Sequence, residues 1–308
     1  MARPAPAPPL LLIGRLDGRL LGSPARDIWL ARARVKAAAT VAGIAGVPVD
    51  TAALLDWICS RTPPPRHSEG LNDPLSIAAL MHFLLLADDS SDPVARASLN
   101  VLRTLLDDRA QAEMWGGDDL VRFGQTFREA RKRLCVPYPS PTLLSVAERL
   151  LAVHKELEIS PTQGRSVTTI DGRTLHVDPR SFGTVWLLAC MLPSALAAAG
   201  FTLQHIPSFV WLPKFLSSGP AELAEELEAA LGRTAALGLT ELDRLERIVA
   251  TLPSDLGVTR RSKLPTLMRL EASYPGLRVP AIARLLGISP QGAAKLAAQA
   301  RSAVTVRY

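Results

Sequence analysis

Cysteine is scarce in this chain and nowhere clustered. Cys59, Cys135 and Cys190 are all it has in 308 residues. An odd, scattered count excludes a disulfide framework and a cysteine-based zinc site, and it reads as buried thiols in a reducing cytoplasm. Histidine offers no more. His67, His82, His154, His176 and His205 are dispersed, and none has the His-Glu-x-x-His spacing that puts two imidazoles on one helix face. A phosphate-cradling glycine loop and a Gly-x-Ser-x-Gly elbow are both missing. Aromatic residues make up 5% of the chain; Trp29, Trp57, Trp115, Trp186 and Trp211 stand singly, as core anchors do. No catalytic constellation is present, so neither cofactor nor metal is expected. The Asp-Gly pairs at Asp17 and Asp171 read as turns before acid–base chemistry.

Strand signals are equally sparse. In 167–177, Asp171-Gly172 lies between β-branched runs, which predicts a β-hairpin because a primed turn wants positive φ at both central residues. Elsewhere apolar residues recur at helical spacing behind good caps. Ser23-Pro24 precedes the stripe Ile28, Ala31, Val35, Ala38 and Ala42, while Asp50, Asp73-Pro74 and Asp92-Pro93 open further helices. Helices are also expected over 119–134, 141–157, 220–231 and 240–252, the last two as an acidic helical hairpin. Residues 1–13 are Pro-rich, with too short an apolar run for a signal peptide, and are expected to form an extended tail. Between Ser181 and Pro213 no residue is charged. Residues 185–203 approach the length of a membrane span, but Pro193-Ser194 interrupts them and Gln204-His205 and Pro207 follow closely. Two short helices buried in a core fit better, and no membrane association is expected.

Charge is the most informative feature. Residues 256–308 carry nine Lys/Arg against the single acid Glu271, a net of +8, whereas the whole chain is +6 and the remainder therefore −2. A compact basic unit on a near-neutral body is the footprint of a module that meets polyanions. The same stretch carries a helix-turn-helix pattern: Ala283 is the small residue where two helices cross, and Gly287 stands at the turn. Ile282, Leu286, Ile288, Ala293 and Leu296 fill the apolar positions, and Ser289-Pro290 opens the second helix. In such a motif the second helix, here 290–301, enters the major groove. That places Ser289, Gln291, Gly292, Lys295 and Gln299 toward bases, with Arg301 farther along. Gln291 suits adenine and Lys295 suits guanine or phosphate. Arg260, Arg261 and Lys263 precede a supporting helix over 264–273 and suit phosphate contacts. The end, 304–308, is expected as one strand of a stunted wing.

Three segments carry a wider resemblance: the opening Gly14-Arg-Leu-Asp-Gly-Arg-Leu, the run Trp29-Leu-Ala-Arg-Ala-Arg-Val-Lys-Ala-Ala-Ala39, and the terminal helix-turn-helix. Together they resemble an uncharacterised family found on plasmids of plant-associated α-proteobacteria, which carries a C-terminal DNA-binding domain. The order of parts is also similar to Fic-type AMP-transferases. The stretch Leu175-His-Val-Asp-Pro-Arg-Ser-Phe-Gly183 keeps their histidine but lacks the Gly-Asn-Gly-Arg anion nest, which implies a diverged or catalytically dead relative. The expected architecture is mainly α: a helical body over 14–219 with one β-hairpin, an acidic linker or dimerisation element over 220–255, and a possibly winged helix-turn-helix domain over 256–308. The expected protein is a cytoplasmic regulator that binds double-stranded DNA as a homodimer.

Overall fold

The computed structural model describes residues 7–63, 74–85, 129–157, 165–168, 174–177, 185–217, 219–253 and 262–305. They form a mainly helical protein: α1 Pro9–Gly22, α2 Arg26–Ile44, α3 Thr51–Ile58, α4 Pro74–Leu84, α5 Leu143–Glu156, α6 Val185–Ala198, α7 Pro220–Thr251, α8 Leu264–Ser273, α9 Val279–Leu286 and α10 Pro290–Thr305. Two four-residue strands, β1 Arg165–Thr168 and β2 Thr174–Val177, pair antiparallel with Ser166 opposite His176. The Asp171-Gly172 turn falls outside the described residues, as does the helix expected behind Asp92-Pro93.

Local chemistry explains several boundaries. The Asp50 carboxylate accepts from the Ala52 amide at 3.0 Å, and Thr142 accepts from Ser145, so each supplies an orphan donor of its helix with a partner. Helix α6 is buried on nearly every side, from Trp186 through Leu196. That burial is why an uncharged segment of this length stays in the protein core, Pro193 included. No helix among the described residues is long and apolar enough to cross a membrane.

The amino-terminal expectation is corrected. Residues 9–13 are not an extended tail but the first turn of α1. Pro9 sits where a missing N–H costs nothing, and Ile13, Leu16 and Leu20 are buried against the rest of the protein. Asp17 is likewise no turn residue. It lies inside α1, 4% exposed, where its carboxylate accepts from the Leu203 amide at 2.6 Å and from the Gln204 side-chain amide.

The second correction concerns 220–255. Two helices and a linker were expected; α7 is one continuous helix of 32 residues packed on α1, α2 and α5. Its apolar stripe Leu223, Leu227, Leu231, Ala235, Leu239, Leu242 and Leu245 is buried within the chain. Three of its seven acids pair with arginines of α1 and α2: Arg19 bridges Asp243 and Glu246 at 2.6 Å, and Arg32 meets Glu241 at 2.9 Å. Thr240 does not cap a new helix; its hydroxyl donates back to the Ala236 carbonyl. The apolar face that would have joined two subunits is consumed by the fold itself.

His82 on α4 is buried, 1% exposed. Burial, with the Arg34 charge nearby, pushes its imidazole down to about 3. The unfolded chain takes up a proton below about pH 6.5 that the folded chain refuses until far lower, so stability falls as pH falls through that window. Between pH 6.5 and 4.5 the expected loss is about 2 kcal/mol. Asp27 and Glu241 are penalised by burial, but Arg269 and Arg32 outweigh it and hold both below the usual carboxylate range, so their contributions are lost mainly at lower pH. Urea titrations at the two pH values, compared with His82→Leu, check this: a variant with the same pH slope as the parent removes His82 as the cause.

Candidate nucleic-acid interface

Helix α9 ends because Gly287 takes a left-handed conformation, φ 59° and ψ 49°. The Ile288 amide then reaches back to the Ala283 carbonyl at 3.0 Å, closing the helix end with a six-residue hydrogen-bonded loop. Two residues later the Ser289 hydroxyl accepts from the Gly292 amide at 3.1 Å, with Pro290 in the first turn of α10. Ala281, Ile282, Leu285, Leu286 and Ala293 are buried, with Ala283, Ile288 and Leu296 packed beside them. α10 rests on both α8 and α9. The helix expected over 264–273 is α8, with those bounds.

The residues picked out for base contact are surface residues. Gln291, Lys295 and Gln299 are exposed at a spacing of four, with Ser289 and Arg301 exposed at either end and Gly292 half-buried. A Cβ at Gly292 would stand 3.3 Å from the Ser289 hydroxyl, so a small residue suits the cap. Sequence reasoning missed Ala294 and Ala298, which are exposed between the polar residues and make the face shallow. Their spacing of three and seven from Gln291 was the available signal. It also missed Arg278, exposed at the start of α9.

The remaining cations divide. Arg260 and Arg261 lie outside the described residues. Lys263 is tied into the unit: its ammonium donates to the Leu286 carbonyl at 2.5 Å, at the negative end of α9. That contact ties α8 to α9, and Lys263 is exposed with two further N–H donors. Arg269 faces the body, its Nε donating to Asp27 at 2.8 Å and Nη2 to the Pro24 carbonyl at 2.6 Å. The +8 of this region is therefore concentrated on fewer side chains than a count of residues implies. The expected wing strand is also corrected: α10 continues through Thr305, and residues 306–308 lie outside the described set.

The three helices are docked on the body. Arg32 of α2 donates twice to the Ala272 carbonyl, Arg284 donates to the Ile58 carbonyl at 2.9 Å, and the Arg278 amide donates to the Cys59 carbonyl at 3.0 Å. Burial pushes the Cys59 thiol up to about 11, so it stands here as a small buried group and not a thiolate. None of these contacts covers the outer face of α10. Among the described residues no group of three His, Cys, Asp or Glu is placed to hold a metal ion. His176 lies on β2, and residues 178–183 of the Fic-like stretch lie outside the described residues. Comparison with protein-family models, with curated proteins and with solved structures finds no match to the chain.

Proposed function

We propose that this chain is a sequence-specific DNA-binding protein, a transcriptional regulator that lays α10 in the major groove. The observation that carries the reading is the exposed face of α10, where Ala294 and Ala298 lie among Gln291, Lys295 and Gln299 behind the Gly287 turn and the Ser289 cap. A major groove about 12 Å wide admits one helix, and small side chains beside the polar ones let it seat deeply enough to reach base edges. Gln291 pairs with adenine and Lys295 with guanine; alanine methyls meet thymine methyls. Arg260, Arg261, Arg278 and Arg301 supply phosphate contacts that set orientation. Two copies bind a two-fold site through surfaces other than the apolar face of α7, which the fold has already used.

Selection of duplexes from a random pool, followed by mobility-shift titration, tests this. Lys295→Ala is expected to weaken the selected duplex by about 1–3 kcal/mol while leaving random duplex nearly unchanged. Arg260→Glu with Arg261→Glu weakens both duplexes alike and flattens the salt dependence. Binding that ignores both sets of changes, or shows no salt dependence, removes the assignment.

A further inference from the structure

We propose that the cleft between α3 and α9 is a binding site for a small oxyanion, a phosphate- or carboxylate-bearing molecule with a small apolar body. The cleft has a volume of about 330 Å³ and is lined by Trp57, Ser60, Arg61, Thr62, Pro63, Pro280 and Arg284. That size falls at the lower end of pockets that hold small organic ligands. Its polar lining is two guanidinium groups and two hydroxyls, with no carboxylate. Its apolar lining comes from Pro63 and Pro280, with Trp57, 4% exposed, behind them. Cationic and amine ligands find no counter-charge there, whereas guanidinium forks match phosphate and carboxylate geometry.

Both arginines are held in place by contacts that leave donors over. Arg61 pairs with Asp56 at 2.7 Å and crosses Gly276, where an added Cβ would stand 2.8 Å from its Nη1. Gly276 has φ +84°, so both its backbone and its lack of a side chain accommodate that crossing. Arg284 gives one N–H to the Ile58 carbonyl and has no carboxylate within ion-pair distance among the described residues. A guanidinium carries five N–H donors, so each retains several. Ser60 ends α3 with φ 56°, the one non-glycine residue with positive φ among those described, in a place where glycine is the relaxed choice. Ser60 lines the cleft.

A duplex phosphate would use the same arginines, but a recess walled by Pro63 and Pro280 suits a small molecule better than a phosphate on a convex duplex. Occupancy is independent of whether α10 reads DNA. Because the cleft joins the body to the first helix of the proposed reader, its ligand is placed to act as an effector.

Calorimetric titration of the full chain with phenyl phosphate, benzoate, inorganic phosphate and neutral benzyl alcohol tests the site. Saturable binding of phenyl phosphate or benzoate at millimolar concentration or below is expected, and which of the two binds more tightly identifies the head group. Benzyl alcohol is expected to give no binding, and inorganic phosphate weaker binding than the aromatic anion. Arg61→Gln and Arg284→Gln are each expected to weaken binding at least tenfold. Thr62→Asp, at an exposed position that leaves the packing untouched, places a carboxylate in the cleft and is expected to abolish binding even if the arginine variants fold poorly. No binding by either aromatic anion, equal binding by benzyl alcohol, or undiminished binding by Thr62→Asp overturns the site. Loss of duplex binding in the arginine variants of a protein that takes no small anion assigns these arginines to DNA phosphates instead.

Discussion

Placing leucine at Gly232 is expected to lower folding stability by about 3 kcal/mol, the upper part of the range for overpacking a tight contact. Glycine inside a helix ordinarily costs about 1 kcal/mol relative to alanine, so filling such a position normally stabilises. Here the sign reverses. A Cβ at Gly232 would stand 2.5 Å from the Pro9 Cβ and 2.8 Å from the Pro9 Cα. The second of those atoms is backbone, so relief requires α1 itself to move away from α7. Gly14 and Gly18 provide the contrast, because an added Cβ at either meets nothing within 4 Å. Alanine at each of those positions is expected to raise stability by about 0.5–1 kcal/mol. Urea unfolding of the three variants measures the effects. A Gly232→Leu protein as stable as the parent would show that α1 does not press on α7 at this point.

Trp29→Ala is expected to cost about 4 kcal/mol, the range for emptying a buried aromatic site. Trp29 is 3% exposed, and its indole lies against α7, where a Cβ at Gly238 would come within 3.1 Å of the ring. The indole N–H also donates to the Gly238 carbonyl at 3.0 Å. Trp29→Phe keeps most of the apolar area and loses that bond, so a smaller loss of about 1–2 kcal/mol is expected. Chemical denaturation of the two variants separates packing from hydrogen bonding. Equal losses in the two would assign the whole effect to the N–H, and a loss below about 1 kcal/mol in Trp29→Ala would remove Trp29 as an anchor.

Helix starts were the most legible part of the fold. Asp50 and Ser289 announce their helices with side chains that accept early free amides, and Gly287 announces the end of α9 by needing a left-handed backbone. These signals act over three or four residues, and sequence spacing displays them directly. The interior of α7 was not legible. Gly232, Gly238 and Thr240 look like breaks in a local reading, yet the helix passes through them because α1 and Trp29 pack on the glycines. The site was legible in the same uneven way. The exposure of Gln291 and Lys295 follows from helical periodicity, but the engagement of Lys263 with Leu286 and of Arg269 with Asp27 depends on neighbours 23 and 242 residues away.

The sequence alone determined that this chain is mainly helical, where most of its helices begin, and that its positive charge gathers near the carboxyl end, since caps, periodicity and charge are local properties. The tertiary structure alone decided which cations stay available, that residues 9–13 and 220–251 belong to the packed body, and that a cleft with two arginines forms between α3 and α9. Those outcomes rest on contacts between distant segments, where burial sets the energy of a proline against a glycine or a guanidinium beside a carbonyl, and chain order carries no record of that meeting.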